Sequence, residues 1–145
     1  MRHANVLSEE SVPLAGAVVA RDDLKGMALR RTHGFVRIGY RVQGLYPNDT
    51  WSGKRVTYTR LRCVGGTVTA HVLRDTKLVS GQQTVRAGGR SVTFGSSDEA
   101  DLTVPLRPLN GVCRAVFTVT PTAVPGPADP RVLGVHFLEF RYAAP

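Results

Sequence analysis

The sequence predicts an all-β fold: an antiparallel β-sandwich of about eight strands, jelly-roll-like, in one domain. Three observations predict it. From residue 34 onward, apolar and polar residues alternate with a period of two. Fifteen glycines and nine prolines punctuate the chain, often at about ten-residue spacing. No long stretch repeats every 3.6 residues, as a packed helix requires. A length of 145 residues suits a single domain with a proper core. Residues 1–145 are therefore read as one sandwich, with 1–30 as an N-terminal segment of unassigned role.

The elements follow in order. "VARDDLKGMALRR", 19–31, is the one helix candidate. Gly26 weakens it, and a strand, a turn and a strand would fit equally well. "FVRIGYRVQG", 35–44, sets Val36, Ile38, Tyr40 and Val42 against Phe35, Arg37, Gly39 and Arg41, so the first set should face a core. "KRVTYTRLRC", 54–63, sets Val56, Tyr58, Arg60 and Arg62 against Thr57, Thr59, Leu61 and Cys63. Gly65 and Gly66 then suggest a hairpin into "TVTAHVLRD", 67–75. Further strands are expected in "QTVRA" (83–87), "RSVTFG" (90–95), "ADLTVPL" (100–106), "VCRAVFTVTP" (112–121) and "LGVHFLEFRY" (133–142). Gly88-Gly89 reads as a tight turn. Pro105 cannot donate to a ladder, which places its strand at an edge or a bulge. "TAVPGPADPR", 122–131, reads as a loop crossing between sheets.

Charge and composition narrow the function classes. The net charge is +8, with Lys+Arg 19 against Asp+Glu 11. Such a balance invites a nucleic-acid reading. The arginines, however, are spaced singly along strands, which reads as a solvated face with local pairing and a diffuse potential. No apolar run reaches the roughly 18 residues of a membrane span, and no segment reads as a signal peptide. Cys63 and Cys113 each lie beside a glycine-bearing turn with polar or basic neighbours, so neither looks deeply buried. They form either one disulfide or two buried thiols. The flanks favour the disulfide, which would close a loop of about 50 residues and place the domain in an oxidising compartment.

Catalytic patterns are weak. His3, His33, His71 and His136 have no partners at metal-ligand spacing, so no metal and no cofactor are expected. The serine of "WSGK" lacks a nucleophile elbow. "VGG" and "AGG" precede no helix that could cradle a phosphate. Asp98, Glu99 and Asp101 read as a solvent-facing turn rather than paired glycosidase acids. The chain is therefore read as no enzyme. Trp51 is the binding candidate, since an exposed indole can stack on a sugar ring. Tyr46 lies nearby, and Asn48, Asp49 and Arg55 can hydrogen-bond hydroxyl groups. The competing reading is a tryptophan that covers the sandwich end.

The order "TWSGKRVTYTRLRCVGGTVTAHV", "VPLRPLNGVCRAVFTVTPTAVPG" and "DPRVLGVHFLEF" resembles the extracytoplasmic C-terminal β-sandwich domain of some actinobacterial membrane glycosyltransferases. The likeness covers residues 46–142. It carries Asp129 and Arg131 over as the motif that leads into the last strand, followed by Leu133, Gly134 and Val135. It implies a non-catalytic extracytoplasmic accessory module that binds or orients a cell-envelope glycan, or docks on a membrane glycosyltransferase. The chain lacks the membrane helices and acidic loop of such transferases. Two other readings stand beside this one: a basic β domain that binds nucleic acid, and a purely structural interaction module.

Overall fold

Strands form where apolar and polar side chains alternate. The structure, a computed structural model, describes residues 4–6, 10–13, 30–32, 35–38, 40–47, 49–94 and 97–145. These residues form β1 (Ala4–Val6), β2 (Glu10–Pro13), β3 (Arg30–Thr32), β4 (Phe35–Ile38), β5 (Tyr40–Leu45), β6 (Ser52–Leu61), β7 (Thr67–Leu73), β8 (Gln83–Ala87), β9 (Arg90–Phe94), β10 (Glu99–Pro105), β11 (Val112–Thr120) and β12 (His136–Ala143). Among the described residues there is no helix, and so none long and apolar enough to cross a membrane.

Two sheets pack as a sandwich. The larger runs β1-β5-β6-β11-β8-β9 and the smaller β10-β7-β12, while β2-β4-β3 form a separate three-stranded sheet. Between β5 and β12, only the β5–β6 and β8–β9 connections are hairpins within one sheet. Every other connection carries the chain to the facing sheet. That alternation is jelly-roll wiring.

The inner faces are the apolar halves of the alternating strands. β7 buries Val68, Ala70 and Val72, and β11 buries Cys113, Ala115, Phe117 and Val119. Burying side chains of this size contributes about 1.5–3 kcal/mol each for Val or Phe. In β12 the pairing with β7 shifts register between Phe137 and Glu139. The shift lets Phe137 and Phe140, three positions apart, both point inward. A second irregularity lies at Gly44, between Gln43 and Leu45. Its φ is +107°, and a Cβ there would overlap the Arg55 carbonyl oxygen, so only glycine fits.

Several expectations need correction. "FVRIGYRVQG" is not one strand: β4 belongs to the separate sheet and β5 to the large one. The helix candidate at 19–31 lies outside the described residues, except for 30 and 31, which are in β3. Gly65-Gly66 does not close a hairpin, because β6 and β7 lie in different sheets. The chain leaves β6 at Arg62, whose φ is +49°. That turn breaks the alternation and sends Cys63 inward, where its N–H donates to the Gly111 carbonyl at 2.7 Å. Both cysteines are core residues, Cys63 at 1% exposure and Cys113 at 0%. The neighbouring Arg62 and Arg114 are exposed, Arg114 because strand alternation turns it away from Cys113. They are joined as a disulfide with Cα atoms 5.7 Å apart. Glu99 and Asp101 are not in a turn but in β10. The edge position of Pro105, the Gly88-Gly89 turn and the crossing loop before β12 are as expected.

The outer faces carry opposite charge. On the small sheet, His71 sits between Asp101 (Nδ1 to Oδ1, 2.6 Å) and Glu99 (Nε2 to Oε1, 2.7 Å), and Arg141 also reaches Asp101 at 3.2 Å. On the large sheet, register pairing brings Arg41, Thr59 and Arg114 into one row and Arg55, Thr118 and Arg86 into another. No Asp or Glu occurs in β5, β6, β8, β9 or β11. Four of the singly spaced arginines, Arg41, Arg55, Arg86 and Arg114, thus share one face, where a diffuse charge was expected. Arg60 is the exception: it is buried, and its guanidinium carbon lies 3.2 Å from the Tyr142 ring centroid.

Removing the disulfide should lower unfolding stability by about 4 kcal/mol, the chain-entropy value for a 50-residue separation. Urea unfolding of Cys63→Ser/Cys113→Ser against the wild type measures it. The hydrogen bond to Asp101 raises the His71 pKa, partial burial opposes it, and the Glu99 bond adds to the rise. A raised folded-state pKa gives stability that is present below the unfolded value of 6.5 and lost as pH rises through the folded pKa. The stability gap between wild type and His71→Gln, at most about 1 kcal/mol for such exposed pairs, should therefore be largest below pH 6.5 and shrink as pH rises above it.

Candidate functional site

One end of the sandwich is closed by two segments far apart in the chain. The β5–β6 loop is a tight turn in which the Tyr46 N–H donates to the Trp51 carbonyl at 3.0 Å and the Asp49 N–H to the Tyr46 carbonyl at 3.2 Å. Asp49 Oδ1 then accepts the N–H groups of Thr50 (2.7 Å) and Trp51 (3.2 Å). This is the local side-chain capping that makes Asp a turn residue. The segment 133–137 runs antiparallel to it. The Ser52 N–H donates to the Val135 carbonyl at 2.9 Å, the Gly134 N–H to the Ser52 carbonyl at 2.8 Å, and the Phe137 N–H to the Thr50 carbonyl at 2.9 Å.

An ionic clasp joins the two segments. Arg131 donates Nε–H and Nη2–H to the two carboxylate oxygens of Asp129, both at 2.8 Å, and Nη1–H to Asp49 Oδ2 at 3.2 Å. The forked geometry is the strong form of an Arg–carboxylate pair. The guanidinium carbon also lies 5.2 Å from the Tyr46 ring centroid, and the Tyr46 hydroxyl donates to the Val132 carbonyl at 3.0 Å. Partial burial pushes the Asp49 carboxyl up, but the Trp51 and Thr50 amides and Arg131 together hold it below the usual range. The bond from Arg131 holds the Asp129 carboxyl low as well. Arg131 is correspondingly shifted up and stays charged. At neutral pH the clasp is fully ionised.

Trp51 is half-buried beside this clasp. Its ring centroid lies 3.8 Å from that of His136, with the planes tilted by 36°. The His136 Nδ1 is hydrogen-bonded to Thr50 Oγ1 at 2.7 Å. Trp51 also lines a cavity of about 310 Å³ with Asp75, Lys77, Leu78, Val124, Pro125, Asp129, Arg131 and Leu133. Asp75 builds the third wall. Its carbonyl accepts the N–H groups of Leu78 and Val79, and its Oδ1 accepts the Lys77 N–H at 2.8 Å. The crossing loop is pinned at its neck by paired bonds between Ala123 and Leu133, both 2.9 Å. The cavity combines one aromatic face, an aliphatic rim and a few fixed charges. Such a lining suits a small polar ligand with one apolar face.

The structure thus brings Trp51, Tyr46, Asp49, Asp129 and Arg131 together. Arg55 is not among them: it faces outward from β6, in register with Thr118. Asn48 lies outside the described residues. Asp75, Lys77 and Leu78 were not singled out by the sequence reading, and His136 was weighed there only as a metal ligand and set aside. The sequence reading ran the strand "TVTAHVLRD" through Arg74 and Asp75, whereas β7 ends at Leu73, and the sequence carries no signal that the turn beyond it meets the loop at Trp51. Neither a family model nor a curated protein sequence matches this chain.

Desolvation lowers the His136 pKa, and Asp49 and Asp75 only partly offset it. A folded pKa below the unfolded value means the unfolded chain binds more protons in that window, so stability falls as pH drops from about 6.5. An imidazolium against the indole also quenches its emission. Fluorescence of the single tryptophan should therefore fall in a step whose midpoint lies below pH 6.5, and His136→Gln should remove that step.

Proposed function

We propose that this chain is a non-catalytic accessory module acting outside the cytoplasm, whose Trp51 end binds a sugar unit of a cell-envelope glycan. In that role it would orient the glycan for a membrane glycosyltransferase, or dock on one. The observation that carries the reading is the half-buried Trp51 on the wall of a 310 Å³ cavity that also presents Asp75, Lys77, Asp129 and Arg131. A pyranose ring has an apolar face for the indole and hydroxyl groups for the charged rim. The wall is held in place by the Asp49–Arg131–Asp129 clasp, which limits the ordering cost of binding a weak ligand. The resemblance over residues 46–142 points to the same class of partner, and a buried disulfide fits an oxidising compartment.

The test is a glycan array probed with the full chain, followed by calorimetry on any hit. Trp51→Ala should abolish binding. It should cost only about 1–2 kcal/mol of stability, less than the 3–5 typical of a fully buried aromatic. A larger loss would make Trp51 a packing residue. An array without hits would favour a purely structural interaction module.

A further inference from the structure

The outer face of the large sheet is a second surface with a chemistry of its own. In β5, β6, β11 and β8 the outward positions place Arg41 and Arg114 in one register row and Arg55 and Arg86 in another. Members of each row are two strands apart, about 10 Å, and the rows lie four residues apart along the strands, about 13 Å. All four arginines are exposed. None makes an ion pair with a described residue, whereas the small sheet's Arg141 and His71 are both paired with acids. Charges about a Debye length apart, with no acid between them, sum to a positive potential over the whole face. At its β8–β9 end the face is concave. A depression of about 310 Å³ is bounded by Arg86, Arg90, Ser91, Thr118 and the Gly88-Gly89 turn.

The other outward side chains decide which polyanion fits. Between the two rows lie Gln43, Thr57 and Val116, in register with one another. The outward positions of these strands hold hydroxyl and amide groups and no aromatic ring. A single-stranded nucleic-acid surface needs aromatic platforms for its bases. A membrane-surface helix or sheet needs a cluster of large apolar side chains to insert, and here the exposed apolar side chains are Leu61 and Val116, set apart on either side of the Arg41–Arg114 row. Guanidinium forks interleaved with threonine and glutamine match a chain that carries both anionic groups and hydroxyls. We propose that the large sheet's outer face binds an acidic polysaccharide, separately from the Trp51 cavity.

The experiment is affinity electrophoresis and calorimetry of the full chain with polygalacturonate, phosphomannan, neutral dextran and single-stranded DNA at physiological salt. Binding to either of the first two, falling steeply with added salt, is expected, and which of them binds identifies the anion as carboxylate or phosphate. Arg41→Gln/Arg114→Gln and Arg55→Gln/Arg86→Gln should each weaken it at least tenfold, and the fourfold variant should abolish it. Arg141→Gln removes one positive charge from the other sheet and should change nothing. Trp51→Ala should also leave this binding intact, so the cavity and the face fail or succeed separately. The substituted arginines are exposed, and unchanged urea midpoints will confirm that the variants fold. Three results would overturn the proposal: no binding to either acidic polymer, tighter binding to DNA, or an equal loss in Arg141→Gln.

Discussion

Phe140 lies at the junction of the two sheets. Its ring is 5.3 Å from Tyr58, 5.8 Å from Phe117 and 5.7 Å from Phe137, measured between centroids. Tyr58 and Phe117 come from the large sheet, and Phe137 and Phe140 from the small one. Rings in offset or edge-on contact interlock more specifically than aliphatic side chains do. This layer fixes which face of each central strand turns inward. It therefore also fixes which face turns out, and with it the position of every charge on the two outer surfaces. The bulge in β12 follows from the same constraint, because without it Phe137 and Phe140 would lie on opposite faces.

Jelly-roll wiring turns the core arrangement into a site. Each crossing between sheets leaves a loop at one end of the sandwich, and loops distant in sequence meet there. Two crossings, through the 75–79 turn and the 124–132 loop, thus meet the β5–β6 hairpin loop around Trp51. The clasp through Arg131 is worth little as a surface ion pair. Its geometric effect is larger, since one guanidinium holds carboxylates from two of the three loops in fixed positions.

What was legible in the sequence follows the range of the physics involved. Strand positions at 83–87, 100–106 and 112–120 are local, and period-two alternation marks them to within a residue or two. The edge position of Pro105 and the turn at Gly88-Gly89 are local as well. Sheet membership is not. Gly65-Gly66 satisfies the local chemistry of a hairpin, yet the chain crosses there because the partners of β7 are β10 and β12, each about thirty residues or more downstream. The cysteines misled for a related reason. Polar neighbours signal exposure in a loop, but in a strand the residue between them faces the other way, as Cys113 does beside the outward Arg114, and the left-handed turn at Arg62 sets Cys63 inward as well. Trp51, Asp49, Asp129 and Arg131 were legible as unusual residues in turns. That they share one site depends on pairing between 50–53 and 133–137, which no local pattern encodes.

That same pairing sets an order of events during synthesis. Thr50 and His136 are separated by 86 positions. A ribosome delivers Trp51, its loop and most of the large sheet well before the strand that completes the small one. Until residues 133–137 emerge, the sandwich end stays open, and one flank of β7 has no neighbour to hydrogen-bond. The apolar face of the large sheet is also missing Phe137 and Phe140 for that whole interval. The nascent chain thus exposes sticky, half-finished sheets until its last strand is made, and the Trp51 end is among the last parts of the domain to close.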